Sequence, residues 1–114
     1  MKSFVMGYHV YKDNWTPGIN EELICEMEPN NPMDKYAVAV KRRDEIVGHL
    51  PKGENGKFAK MVFYFLRANS LNCCTCKVTG KPVNLGKGDG MQVPCELSLS
   101  GEVTHLDILK KHLT

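Results

Sequence analysis

Residues 28–40 constrain this chain more than any other stretch: Glu28-Pro29-Asn30-Asn31-Pro32-Met33-Asp34-Lys35-Tyr36-Ala37-Val38-Ala39-Val40. Two prolines fix φ and push the residues before them, Glu28 and Asn31, out of helical geometry. Asn30, Asn31 and Asp34 bond nearby backbone and tolerate unusual turn angles. Ala37-Val38-Ala39-Val40 then reads as a strand buried on both faces. The segment therefore predicts a rigid polar corner with one carboxylate, Asp34, at the mouth of a strand. Such a corner serves either as a binding lip or simply as a well-made turn.

The rest of the chain reads as short strands and a few helical stretches. Residues 4–11 predict a strand, interrupted at Gly7 by a bulge or bend. Pro17-Gly18 marks a turn. Residues 23–28 predict a second strand, with Cys25 and Met27 buried and Glu26 and Glu28 wet. Residues 37–41 and 45–50 predict a hairpin through the polar turn Arg42-Arg43-Asp44. Phe58, Met61, Val62, Phe65 and Leu66 recur at helical spacing, so residues 58–66 predict a helix with one apolar face. Asn55 is its expected N-cap, and Asn69 and Ser70 close it. Cys74, Cys76 and Val78 alternate with Thr75, Lys77 and Thr79 in another strand. Residues 80–90 read as a long Gly- and Lys-rich connection. Cys95, Leu97 and Leu99 share one face of the last strand, residues 93–100. Thr104 and Asp107 are the expected capping pair of a C-terminal helix carrying Leu106, Leu109 and Leu113. About six short strands and one good helix, with a shorter one behind it, predict a mainly-β single domain over residues 1–114. The architectures that fit are a small barrel with helices attached and an open sheet with a helix across it.

Bulk properties narrow the function classes. With 114 residues, 42% hydrophobic and 25% charged, the chain has the make-up of one globular domain with a modest core. No apolar run approaches the ~20 residues of a membrane span, and the N-terminus lacks the pattern of a secretory signal. A net charge of +2 permits a nucleic-acid partner without arguing for one. Five cysteines, Cys25, Cys73, Cys74, Cys76 and Cys95, read as reduced thiols of a nuclear or cytoplasmic protein.

Catalytic and metal chemistry find little support. Cys74-x-Cys76 beside Cys73 lacks a second C-x2-C pair, and strand geometry sends Cys73 to the opposite face. Buried small hydrophobes explain Cys74 and Cys76 better than zinc ligands. Gly86-Lys87-Gly88-Asp89-Gly90 is not a phosphate loop, since it departs from the required spacing and precedes a strand. The four histidines are scattered, with no local signature of a Cys–His nucleophile. The expectation is a non-enzymatic domain with no metal and no cofactor.

Taken in order, several motifs resemble the HIRAN domain. They are Gly7-Tyr8-His9-Val10-Tyr11, the corner from Glu28 to Val40, Ile46-Val47-Gly48-His49-Leu50-Pro51, Cys76-Lys77-Val78-Thr79-Gly80 and Gly90-Met91-Gln92-Val93-Pro94-Cys95. The resemblance spans roughly residues 5–101 and is similar in kind to free-standing HIRAN-like proteins. It implies an OB-like β-barrel of about six strands with two helices. It also implies a site. In the family's fork-remodelling Swi/Snf-class translocase the domain grips the 3′ end of single-stranded DNA. An aspartate at the position of Asp34 reads the terminal hydroxyl. Aromatics at the positions of Val10, Met33 and Met91 hold the terminal bases. An arginine at the position of His9 and a histidine at that of His49 help with the backbone.

All three stacking positions are aliphatic or thioether here, and each lost base stack costs roughly 1–3 kcal/mol. Tyr8, Tyr11, Trp15 and Tyr36 are the neighbouring aromatics able to compensate. The candidate nucleic-acid-binding residues are therefore His9, Val10, Tyr11, Met33, Asp34, Lys35, His49 and Met91, with Lys87 and Arg42 as further sources of attraction. The leading expectation is a monomeric module for single-stranded DNA ends, acting in DNA repair. The alternative is a protein-interaction module that keeps the barrel but has lost DNA-end binding, using a lip of Met27, Met33 and Met91.

Overall fold

The computed structural model describes residues 1–11, 15–53, 56–84 and 90–113. Its elements run β1 (Lys2–Val5), α1 (Tyr8–Tyr11), β2 (Glu22–Met27), β3 (Val38–Arg42), β4 (Glu45–His49), α2 (Phe58–Ala68), β5 (Cys73–Val78), β6 (Val83–Asn84), β7 (Met91–Ser100) and α3 (Val103–Leu113). Among the described residues the strands form one antiparallel sheet, ordered β1-β7-β5-β2-β3-β4, with the two-residue β6 paired to β7.

The sheet curls until its two edges meet. Just past β1, Met6 forms a bridge with His49 at the end of β4. Met6 N donates to His49 O at 2.8 Å and His49 N to Met6 O at 2.9 Å. Two local features make this possible. The β3–β4 register slips between Val40 and Lys41, and such a bulge bends and twists its strand. Gly48 then lies against the end of β1: a Cβ there would sit 2.7 Å from Met6 O and run into Val5 Cγ1. The closed, OB-like alternative is thus the observed one, and the open sheet is set aside.

Inward-facing residues of the strands form the core. Val5, Leu23, Cys25, Val38, Val40, Val47, Cys74, Cys76, Val78, Val93, Cys95 and Leu97 are all buried. α2 covers β2 and β3 and packs against α3. Its buried residues are Ala59, Val62, Phe63, Phe65 and Leu66, a wider face than the 58–66 pattern predicts. Trp15 is buried as well, with its indole Nε1 donating to Glu21 Oε1 at 2.9 Å and Tyr8 packed against it edge to face. The indole's one polar group is thereby satisfied, so Trp15 is core and not a stacking platform.

Four expectations need correction. Residues 4–11 are not one strand: Gly7 adopts φ +72°, which ends β1, and Tyr8–Tyr11 turns into α1. Met27 is exposed rather than buried, because β2 leaves the core at its end. Residues 80–90 contain the short strand β6, with Val83 opposite Gln92 and Asn84 opposite Met91. α3 starts before Thr104, and Glu102 accepts from His105 N at 3.1 Å in the capping role expected of Thr104. The expected N-cap of α2, Asn55, lies outside the described residues, and Lys57 at that helix's entry makes no side-chain cap.

Cys73 is exposed and Cys74 and Cys76 are buried, as the strand alternation predicts. Hydrogen bonding among the thiols, together with burial, pushes Cys25 and Cys95 above the ordinary thiol range. Enclosed away from solvent, these side chains pack as small hydrophobes. No helix among the described residues is long and apolar enough to cross a membrane.

Candidate nucleic-acid interface

The corner between β2 and β3 is organised around Asn31. Its Nδ2 donates to Glu28 Oε1 at 2.6 Å, and its Oδ1 accepts from Met33 N at 2.8 Å and Asp34 N at 3.1 Å. Asp34 Oδ1 accepts from Tyr36 N at 2.9 Å, an Asx turn that orients the carboxylate. Backbone bonds from Glu28 N to Ala37 O and from Ala37 N to Asp34 O tie the loop's ends together. The polar residues and prolines that predict stiffness thus act through a short hydrogen-bond lattice. Asp34's second oxygen takes no hydrogen bond or ion pair from the described residues.

Beside this carboxylate lies a cleft of about 130 Å³, lined by Asn31, Met33, Asp34, Ala37, His49, Leu50, Lys52 and Ala59. Three separate segments meet there: the corner, the end of β4 with its following loop, and the first turn of α2. Liquid water occupies about 30 Å³ per molecule, so the cleft has room for about four. That is the scale of a sugar's edge and well below a ~300 Å³ ligand pocket.

His49 is held firmly. Its Nε2 lies 2.8 Å from Glu28 Oε1. Burial raises the Glu28 pKa, but hydrogen bonds from Asn31 and His49 and the positive charges of His49 and Lys41 prevail and lower it. Glu28 is therefore ionised near neutral pH and can only accept, so Nε2 carries the proton. With Nε2 engaged, the imidazole meets a phosphate only through Nδ1, and donates there only as imidazolium. Tyr11 packs beside His49, with ring centroids 6.2 Å apart, and burial plus the nearby Glu28 carboxylate pushes its phenol upward.

The Glu28 shift has a sign. A carboxylate with a lowered folded pKa contributes stability that is complete above its ordinary value of 4.5. That contribution is lost as pH falls through the lower folded value. Melting temperatures measured across this acid range should fall more steeply for the wild type than for Glu28→Gln. Parallel curves would show that the Glu28 contacts contribute nothing to acid stability.

The predicted site residues separate into two groups. Met33, Asp34 and His49 line the cleft, and Tyr11 flanks it. Val10 on α1 and Met91 at the start of β7 lie outside the lining, though α1 packs on both β4 and β7. All three candidate base-contact side chains are accessible: Met33 is 86% exposed, Val10 67% and Met91 38%. Lys35 points elsewhere, with Nζ 5.2 Å from the Tyr36 ring centroid. Arg42 pairs with Glu21 at 3.1 Å and lines a different hollow beside Trp15. The side chain of His9, and Lys87 with most of its glycine-rich run, lie outside the described residues. Sequence reading missed Lys52 as a cleft cation and Glu28 as the anchor of His49. Lys52 carries no local signal, whereas Glu28 stands at the first position of the corner itself. Among the described residues no three His, Cys, Asp or Glu side chains gather to hold a metal.

The strands form a curled OB-like barrel with the preorganised Asn31–Asp34 corner at its rim. The chain belongs to the HIRAN domain family, whose profile matches residues 1–101. It is similar to the crystal structure of the HIRAN domain of human HLTF, with a TM-score of 0.71 and 26% identity over 98% of this chain and 87% of that one. The NMR structure of the HLTF HIRAN domain gives a TM-score of 0.66 and 23% identity over 99% and 85% of the two chains. The same domain in its DNA-bound conformation gives 0.61 and 23%, over 99% and 84%. No match is found among curated protein sequences.

Proposed function

We propose that this domain is a non-enzymatic nucleic-acid-binding module that takes the 3′-hydroxyl end of single-stranded DNA into the cleft beside Asp34. The observation carrying this reading is the state of that carboxylate. One oxygen is fixed by Tyr36 N, the other takes no partner from the described residues, and Asp34 lines the small cleft together with His49 and Lys52. A terminal 3′-hydroxyl donates to a carboxylate oxygen. An internal nucleotide has no such hydrogen, and a 3′-phosphate brings like charge against Asp34. The DNA-bound conformation of the HLTF HIRAN domain supports DNA as the ligand class. Lys52 supplies attraction for the penultimate phosphate, and Met33, Val10 and Met91 offer apolar contact to the terminal bases in place of stacking.

The test is fluorescence anisotropy with one oligonucleotide ending in either 3′-hydroxyl or 3′-phosphate. The hydroxyl end should bind more tightly. Asp34→Asn keeps an acceptor for Tyr36 N but removes the charge. A hydrogen bond to a charged group is worth about 1.5–3 kcal/mol, so the hydroxyl preference should fall about 10- to 100-fold. Equal affinity of the wild type for both ends would reject end recognition.

A second reading rests on the exposure of Met33 and Val10. An adaptable thioether and aliphatic lip suits a protein partner. It would be selected by a saturable protein ligand whose binding is abolished by Met33→Glu, alongside no oligonucleotide binding at low salt.

A further inference from the structure

The aromatic surface missing from Val10, Met33 and Met91 exists elsewhere on this domain. Tyr36, Phe63 and Tyr64 form a cluster of edge-to-face contacts, with centroid separations of 5.6 Å for Tyr36–Phe63 and 5.4 Å for Tyr36–Tyr64. Three cations thread between these rings. Lys35 and Lys60 lie 5.2 and 4.7 Å from the Tyr36 centroid, and Arg67 lies 4.7 Å from that of Tyr64. None of the three pairs with a carboxylate among the described residues. α2 itself contains no acidic residue. Cations gathered on one face without counter-charges leave a local positive potential that favours an anionic ligand.

This face adjoins the cleft along the chain. Lys35 and Tyr36 follow Asp34 directly, and Ala59, which lines the cleft, precedes Lys60 on α2. Lys60 and Arg67 are seven residues apart on the helix, so they span about 10 Å. A stacked strand places about three phosphates over that length at its 3.4 Å rise. We propose that Lys35, Tyr36, Lys60, Tyr64 and Arg67 form a track for the body of a single-stranded nucleic acid, independent of how its end is read. The cations move from the ring faces to phosphates, and the half-exposed tyrosines are freed for bases. A stacked base outweighs the exposed cation–π contact it displaces. The inference shares with the preceding reading its ligand class, single-stranded DNA, but not the 3′-hydroxyl.

The experiment measures the affinity of the whole chain for an oligothymidylate of about twelve nucleotides, within the usual site sizes of such proteins. Titrations are repeated at several salt concentrations, with 3′-hydroxyl and 3′-phosphate ends. Lys60→Gln/Arg67→Gln should weaken binding about tenfold at low salt and reduce the slope of log K against log salt by about 1.4, from about 0.7 per phosphate on a single strand. Any preference for the hydroxyl end should persist. Tyr64→Leu should weaken binding without changing the slope, and circular dichroism confirms that both variants are folded. Asp34→Asn should leave the slope intact. Wild-type binding that ignores the end, with a salt slope that falls by about 1.4 in the double variant, supports the track and rejects end recognition. Unchanged affinity and slope in folded Lys60→Gln/Arg67→Gln would overturn the track while leaving end recognition standing. No oligonucleotide binding by the wild type at low salt would overturn both.

Discussion

Gly48→Ala should unfold at markedly lower denaturant than the wild type, although it adds only one methyl group. The added Cβ would lie 2.7 Å from the Met6 carbonyl oxygen and overlap Val5, and backbone cannot step aside as a flexible side chain can. Overpacking of this kind costs typically 1–3 kcal/mol. The two Met6–His49 backbone bonds that join the barrel edges would be strained with it, at about 1 kcal/mol each. The expected loss is about 3–5 kcal/mol, a large part of the ~5–15 kcal/mol that holds a domain of this kind together. Urea titration should show a lower midpoint. Gly18→Ala is the control, because a Cβ there meets only Glu21 Oε1, at 3.9 Å. Equal midpoints for the two variants would mean that the barrel closes without the tight approach at Gly48.

Asn31→Ala should damage both stability and the proposed end recognition. One side chain supplies three hydrogen bonds that shape the corner, at 2.6, 2.8 and 3.1 Å. At about 0.5–1.5 kcal/mol each, their loss amounts to about 2–4 kcal/mol, nearer the lower figure because Asn31 is only half-buried and water replaces some partners. Asp34 would then lose the amide anchor that positions its turn, and the preference for a 3′-hydroxyl should fall with the unfolding midpoint. Asn31→Asp separates the two effects. It keeps an acceptor for the Met33 and Asp34 amides but sets a second carboxylate against Glu28. Its stability should therefore rise as the solution is acidified through the carboxylate range, opposite in sign to the Glu28 dependence of the wild type. If Asn31→Ala keeps both midpoint and preference, the corner's rigidity has another source.

The stiffness of this corner was legible because it is local. Prolines, asparagines and Asp34 act on backbone within a few residues, and the observed bonds from Asn31 span two or three positions. The strand faces were legible for a similar reason: alternation at Leu23 and Cys25, and at Cys74, Cys76 and Val78, reports burial directly. The misreading of residues 4–11 arose because β-rich residues on both sides of Gly7 mask a reversal that its positive φ decides. The His49–Glu28 contact joins residues 21 apart, and nothing at either position announces the other. Lys35 follows the site aspartate, yet its ammonium lies over the Tyr36 ring, a choice made by the electrostatics of a neighbouring aromatic face.

By itself, then, the order of amino acids determined which backbone stretches are extended, which side of each is apolar, and that one acidic residue ends a rigid turn. These depend on φ restrictions and side-chain period, which operate over a few residues. Tertiary structure alone decided that the sheet's edges meet at Met6 and His49, that Asp34, His49, Lys52 and Ala59 border one cleft, and that cations alternate with rings beside α2. Periodicity states which face is buried but not which strand lies alongside. That neighbour is selected by register, by the bulge at Val40–Lys41 and by the close approach at Gly48, where distant parts of the chain must fit the same space.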